Sequence, residues 1–448
     1  MPVSAREAAL KALGKYRRDG VRTESALDAV LGKESLDARD AALCARIFYG
    51  VVQNMALLDF YLNNFSTVKI TKMEPQVLDI LRLSVYQLVF MTKIPVNAAV
   101  SEGVTLAKKH ANPRAAGLVN AVLRKIGSNR ESLPEPLGGD ICEILSVKYS
   151  HPLWLVRAYY ERLGQEGLEA LLKADNADAP VTLMVNTLKA DTDSVLGALH
   201  NEGVEAGLHP WVKDCIVLSG ARGLSQLGVF REGLVYVQDA AAAMAVDAAA
   251  LKPGMFVIDG CAAPGGKSFA AAIRMRNTGR ILSCDLQERK LSSIDEGAAR
   301  LGLTIISTRA MDAQAPDESL LGQADAVIAD VPCSGFGVIR KKPEIRYKRE
   351  ADLEDLPALQ LKIAGNLSRY VRPGGILLYA TCTLLRRENE DVIGKFLSEH
   401  PEFEMEPFEL SGLAGRTESG IAAPGFVTLW PHLHGTDGFF ICRLRRRV

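Results

Sequence analysis

The sequence predicts a chain of three parts: an all-α front, a small α+β module, and a C-terminal α/β domain built on a doubly wound parallel sheet. Three observations carry this. Over residues 1–130 apolar side chains recur at helical spacing and nothing alternates with period two. A Pro/Gly-rich stretch, Leu133-Pro134-Glu135-Pro136-Leu137-Gly138-Gly139, then breaks the pattern. From Asp239 onward short apolar runs alternate with amphipathic stretches, the βαβ signature. At 448 residues the chain exceeds what one core supports. The expected division is 1–130, 140–238 and 239–448.

In the front part, Ser4 is placed to cap a helix carrying Ala8, Leu10, Leu13 and Tyr16, which stops at Asp19-Gly20. Arg39 to Phe65 reads as one long apolar helix. Pro75 suits the first turn of a helix running to Met91. Asn97–His110 and Arg114–Ile126 follow, the second with Leu118, Val119, Val122 and Leu123 on one face and Arg114, Arg124 and Lys125 left for solvent or phosphate. In the middle module, helices are expected over Trp154–Leu163, Leu168–Lys173 and Thr192–Asn201. Strands are expected at Pro180–Asn186, Cys215–Leu218 and Leu234–Val237. In the last part strands fall at Met255–Asp259, Ile281–Asp285, Thr304–Thr308, Ala326–Asp330 and Ile376–Thr381, with a late one at Phe439–Cys442. Helices such as Lys267–Arg276 and Arg289–Leu301 lie between them.

Bulk composition narrows the function classes. The chain is 48% hydrophobic, 24% charged and 6% aromatic, ordinary for a globular protein. The most apolar stretch, Val77–Met91, is broken by Asp79, Arg82 and Gln87, so no bilayer span and no membrane partner are expected. The segment Met1–Glu7 lacks the apolar core of a signal peptide, and a cytoplasmic location is expected. Eight widely spaced Cys without a C-x-x-C pair argue against a disulfide framework and a structural zinc site, so no metal is expected. Net charge is zero, yet residues 1–130 hold 19 Lys+Arg against 11 Asp+Glu, leaving the rest at −8. This asymmetry fits either a polyanion-facing front or a solvated basic surface.

Gly-rich Asp259-Gly260-Cys261-Ala262-Ala263-Pro264-Gly265-Gly266-Lys267-Ser268 follows the first strand of the last part and opens a helix, where backbone can approach a ligand closely. Asp285, about 20 residues on, ends the second strand at the distance from which an acid reaches ribose hydroxyls. A dinucleotide and S-adenosylmethionine fit this arrangement equally well. The turn itself lacks G-x-G-x-x-G, and its Pro suits a methionine moiety better than a pyrophosphate. Asp312, after strand three, and Asp330, ending strand four, complete a set of four strand-end acids, a residue type rarely buried unpaired.

Two Cys end apolar runs: Cys333 in Asp330-Val331-Pro332-Cys333, and Cys382 in Thr381-Cys382-Thr383. If their strands are neighbours, both thiols meet beside the cofactor. A thiolate that adds to carbon 6 of a pyrimidine makes carbon 5 nucleophilic enough to attack a methyl sulfonium, splitting one difficult step into two. That chemistry needs a thiolate, an acid at N3 and a base for the carbon 5 proton, roles open to Asp330, Cys333 and Cys382. Methylation of an amino group is disfavoured, because Cys333 stands where an aromatic residue would follow Pro. Cys44, Cys142, Cys215, Cys284 and Cys442 read as inert core thiols, and Cys261 needs no chemical role.

These segments, with Ser334-Gly335-Phe336-Gly337, Val338-Ile339-Arg340-Lys341-Lys342-Pro343-Glu344-Ile345, Glu388-Asn389-Glu390 and Gly435-Thr436-Asp437-Gly438-Phe439-Phe440, resemble RNA cytosine-5 methyltransferases of the NOL/NSUN/Sun superfamily, Sun (RsmB) type. The basic front resembles the NusB fold, and the resemblance covers essentially the whole chain. It implies an all-α NusB-like RNA-binding domain, an α+β RNA-positioning module and a Rossmann-like class I methyltransferase domain. It further implies that Cys382 is the nucleophile, that Cys333 assists release, and that Asp330 contacts N3. Cys261, Ala262, Ala263, Pro264, Gly265, Gly266, Lys267, Asp285, Asp312 and Asp330 are implied to hold S-adenosylmethionine. The implied substrate is one cytosine of 16S rRNA, free or in an early assembly particle, and a monomer is expected. Thr383 departs from the Ser common in the family but keeps the hydroxyl. A tRNA substrate, or a non-catalytic NusB-like RNA-binding factor, are the competing readings.

Overall fold

The computed structural model describes residues 3–219, 223–410 and 425–448. The chain forms two compact units, one of residues 1–177 with 339–348, the other of residues 178–338 with 349–448.

The first unit is helical: α1 (Ala5–Asp19), α2 (Thr23–Leu31), α3 (Ala38–Gln53), α4 (Met55–Phe65), α5 (Pro75–Phe90), α6 (Val96–His110), α7 (Pro113–Ser128), α8 (Ile141–Lys148) and α9 (Leu153–Asp175). Ser4 caps α1 by accepting from the Glu7 N–H, and Gly20 ends it at φ 62°, as the sequence predicts. Asp37, Asn112 and Asp140 cap α3, α7 and α8 in the same way. One expectation fails: Arg39–Phe65 is two helices, α3 and α4, set at 78°. Asn54 leaves helical geometry at φ −114° and ψ 18°, and its amide donates to the Gly50 carbonyl at 2.9 Å, closing α3. The unpredicted α2 buries Ala26, Leu27 and Val30. Gly164, at φ 65°, breaks α9 between the two expected helices. Among the described residues no single helix is long and apolar enough to cross a membrane.

The three C-termini of α3, α8 and α9 converge on one side chain. Arg346, fully buried, brings Nη1 to 2.7 Å from the Gln53 carbonyl, 2.9 Å from Asn176 Oδ1 and 3.3 Å from the carbonyls of both Tyr149 and Ser150. Helix C-termini leave unsatisfied carbonyls and carry partial negative charge, so a guanidinium is the natural cap for three at once. Beside it the Tyr347 hydroxyl donates to the Val52 carbonyl at 2.6 Å, and the Thr23 hydroxyl donates to Glu344 at 2.7 Å.

The second unit holds two sheets. β1 (Val181–Val185), β2 (Ala206–Leu208), β3 (Cys215–Leu218) and β4 (Val235–Val237) form an antiparallel sheet in the order β2-β3-β1-β4. The larger sheet comprises β5 (Phe256–Asp259), β6 (Arg280–Asp285), β7 (Ile306–Ala310), β8 (Ala324–Asp330), β9 (Val371–Thr381), β10 (Phe403–Met405), β11 (Phe426–Leu429) and β12 (Phe439–Arg446). Its order is β10-β12-β9-β8-β5-β6-β7, with β11 also paired to β12. Successive strand residues bury into opposite faces: Val257, Ile281, Ile328 and Leu378 join one core, Ile258, Leu282, Val327 and Leu377 the other. Helices cover both faces, which explains the unbroken apolar runs.

β5 to β9 are parallel, but β12 pairs antiparallel with β9, and β10 and β11 antiparallel with β12. The sheet is therefore mixed, where the βαβ pattern predicts a parallel one. A strand buried on both faces carries no periodicity that betrays its direction.

Candidate active site

Because β8 and β9 are neighbours, Asp330 pairs with Ala380 and the chain leaves both strands at the same sheet edge. The two half-buried thiols that follow meet there, Cys333 Sγ lying 3.2 Å from Cys382 Sγ. Three loops are pinned around them. The Gly337 N–H donates to the Cys382 carbonyl at 2.9 Å, and the Gly438 N–H donates to the Gly337 carbonyl at 2.8 Å. A Cβ on Gly337 would stand 1.9 Å from the Gly438 carbonyl, so this crossing admits only glycine.

The thiols differ in what charges them. Lys267, in the helix Gly266–Arg274, reaches Asp330 Oδ2 at 2.5 Å and lies over the Phe439 ring at 5.1 Å. Burial alone would lower its ammonium, but the Asp330 charge and hydrogen bond outweigh that and hold the proton. The hydrogen bond with Cys333 lowers the Cys382 thiol against the opposing effects of burial and the Asp330 charge, and the Lys267 cation assists. Cys333 is pushed well up by its bond to Cys382, by burial, and by the charges of Cys382, Glu388 and Asp330. Of the two, Cys382 is the thiol held lower and Cys333 the one held higher. Cys261, pushed up chiefly by burial, stays a thiol, as do the buried Cys44, Cys284 and Cys442.

A cavity of about 600 Å³ opens at the ends of the parallel strands. Of the residues predicted to hold a cofactor, Cys261, Ala262, Ala263, Pro264, Gly266, Lys267 and Asp330 line it; Gly265, Asp285 and Asp312 do not. Gly265 instead shapes the turn at φ 109°, with the Phe269 ring so close that a Cβ would meet it at 2.6 Å. Asp285 ends β6 and its charge acts on Cys261, whereas Asp312 is exposed and accepts from the Gln314 N–H. Asp259 also lines the cavity; burial pushes its carboxyl up to about 6 although Ser268 donates to Oδ2 at 2.7 Å. Its Oδ1 and the Gln238 Oε1 are buried without a hydrogen-bond partner. Two orphaned acceptors beside a Gly-rich turn fit a ligand with an amino group and an extended polar tail, as a methionine moiety has.

Sequence reasoning missed Gln238, Tyr236 and Phe230 as cavity residues, because the expected boundary at Asp239 assigns them to another module. Their signal was positional: Leu234–Val237 was read as a strand, and its end points into the cavity. It also missed Glu388, which belongs to the Glu388-Asn389-Glu390 motif and accepts from the Ser334 N–H beside Cys333.

The order β7-β6-β5-β8-β9-β12-β10, with an antiparallel strand inserted beside the last parallel one, defines a class I methyltransferase domain. Residues 247–445 match the family described as 16S rRNA methyltransferase RsmB/F, residues 3–128 the NusB family, and residues 151–225 the RsmF/B-like ferredoxin-like domain. A protein of Bacillus subtilis (strain 168) described as a probable ribosomal RNA small subunit methyltransferase B is 37% identical over 448 residues, covering 99% of each chain. The ribosomal RNA small subunit methyltransferase B of Pseudomonas putida is 33% identical over 447 residues, covering 99% of this chain and 98% of its own. The crystal structure of PH0851 superposes with a TM-score of 0.81 at 28% identity, covering 100% of this chain and 99% of that one. The chain belongs to the RsmB/F family of S-adenosylmethionine-dependent small-subunit ribosomal RNA methyltransferases.

Proposed function

We propose that this chain methylates carbon 5 of one cytosine in 16S rRNA through a covalent adduct between Cys382 and carbon 6. The observation that carries this reading is the pair of thiols 3.2 Å apart, at neighbouring strand ends beside the cavity. A single nucleophile would need no second thiol in contact with it.

In this reading the Cys382 thiolate attacks carbon 6, and the electron pair moves toward carbon 5 and N3. S-adenosylmethionine, when bound, supplies the electrophilic methyl group. Cys261, Ala262, Ala263, Pro264, Gly266, Lys267 and Asp330, which line the cavity, would hold it, with Asp285 and Asp312, outside that lining, assigned to its ribose and adenine end. As negative charge develops on the ring, N3 takes up a proton from solvent that it returns on release, and its N–H donates to the Asp330 oxygen that Lys267 leaves free. The carbon 5 proton is then lost to solvent as Cys382 is expelled, and Cys333 lends its S–H proton to the departing sulfur and regains one from solvent. Charge balances because the positive charge of the sulfonium leaves as that proton. The target base has to be unstacked to reach both thiols.

The first unit, with Lys108, Lys109, Arg114, Arg124 and Lys125 exposed along the end of α6 and on α7, engages phosphate in a sequence-independent way, and residues 140–238 help to position the RNA. Bisulfite mapping of RNA from cells with and without the gene tests the substrate. Loss of one protected cytosine in the small-subunit RNA is expected. Loss at a tRNA cytosine with rRNA unchanged would overturn the assignment.

A further inference from the structure

Glu388 is fully buried, and a buried carboxyl group needs a reason. Its Oε2 accepts from the Ser334 N–H at 2.9 Å and from Gln360 Nε2 at 2.8 Å, and its Oε1 from the Thr383 hydroxyl at 3.5 Å. Gln360, in the helix Leu356–Ser368, also donates from Nε2 to the Pro332 carbonyl at 3.0 Å. The carbonyl before Cys333 and the N–H after it are therefore both held by the Gln360–Glu388 pair. On the other loop, Ser334 Oγ and Thr383 Oγ1 lie 2.8 Å apart, and Asn389 donates to the Thr383 carbonyl at 2.9 Å. The Glu388 carbonyl itself accepts from the Tyr379 hydroxyl at 2.6 Å, which anchors the clamp to β9.

We propose that Glu388 is a positioning residue of the methyl-transfer reaction: through Gln360, Ser334 and Thr383 it clamps the two thiol loops together and keeps Cys333 Sγ in contact with Cys382 Sγ. The donors that satisfy it are all neutral. A glutamine at this position would offer one acceptor oxygen in place of two and would turn an N–H₂ toward another donor. The carboxyl group supplies both acceptor sites and a negative charge beside Cys333, whose thiol that charge pushes up. The inference rests on the reading that Cys382 attacks and Cys333 serves release.

The test uses full-length Glu388→Gln and Gln360→Ala, with Cys333→Ala as control. Two measurements are made: alkylation of Cys333 by iodoacetamide against pH, read by mass spectrometry without RNA, and decay of the protein–RNA adduct on denaturing gels against pH. In Glu388→Gln the onset of Cys333 alkylation moves to lower pH, the basic limb of adduct decay moves with it, and decay slows about tenfold, one pK unit of altered proton affinity. Gln360→Ala, which keeps the charge but frees the Pro332 carbonyl, slows decay without moving either pH limb. Unchanged limbs in Glu388→Gln, with attack and release reduced together, would show a merely structural carboxyl group and overturn the proposal. A shifted alkylation limb with no adduct in Cys333→Ala would leave the clamp standing and remove the assignment of thiol roles.

Discussion

At the end of β8, Cys333 lies between a carbonyl and an N–H held by buried Gln360 and Glu388; at the end of β9, Cys382 faces the ammonium of Lys267. The side chains are identical and 3.2 Å apart, and the Asp330 charge raises both, yet the Glu388 charge adds to it at Cys333 while the Lys267 cation opposes it at Cys382. The difference teaches that a thiol's role here is written in its neighbours. The strand end supplies only the place, and the bond between the sulfurs with the charges around them sets the two thiols apart.

The most severe way to break this comparison is to delete one member. Cys382→Ser is expected to lower methyl transfer more than about a thousandfold, the scale on which loss of an acting nucleophile is felt. Radiolabelled methyl incorporation into small-subunit RNA measures it, and full activity would remove Cys382 from the nucleophile's role. Cys333→Ala is expected to permit about one methyl transfer per enzyme and then hold the RNA covalently. A gel-stable adduct that vanishes in the double variant with Cys382→Ser verifies the division of labour.

A milder change erases the asymmetry and leaves both thiols. Lys267→Met removes the cation that favours the Cys382 thiolate, so alkylation of Cys382 at neutral pH slows about tenfold for one pK unit. An unchanged alkylation rate would show that the Cys333 hydrogen bond alone sets the difference.

The smallest effect concerns Asp259, on the neighbouring strand. Its folded carboxyl titrates near 6 because of burial, above its value in the unfolded chain. Between about pH 4 and 6 the folded state therefore binds more protons, and stability falls as pH rises through that window. Asp259→Asn flattens this slope by on the order of 1–3 kcal/mol, readable from urea midpoints across pH. A slope that persists would place the titration elsewhere.

The sequence made the local features legible and hid the distant ones. Ser4 and Gly20 announce α1 because a cap is a contact between near neighbours. The meeting of the thiols was legible only on the condition that β8 and β9 are neighbours, a strand order that local pattern does not fix. The break at Asn54 did not, since the apolar spacing of α3 and α4 runs on across it. Gln238 was hidden by a boundary drawn one residue too late for the cavity it lines. Glu388 was visible as part of a motif, but its bond to Ser334 spans 54 residues, beyond any periodic signal.

Arg346 sets an order of events during synthesis. The ribosome delivers α1 to α9 first, and the residue that caps α3, α8 and α9 emerges roughly 170 residues later, on the order of 10–30 s at ordinary elongation rates. Until then three helix ends wait with their carbonyls unmet. The nascent front of the protein is thus completed by a piece made just after the first of the two thiols, so a chain interrupted before that point is released with its helical half unfinished.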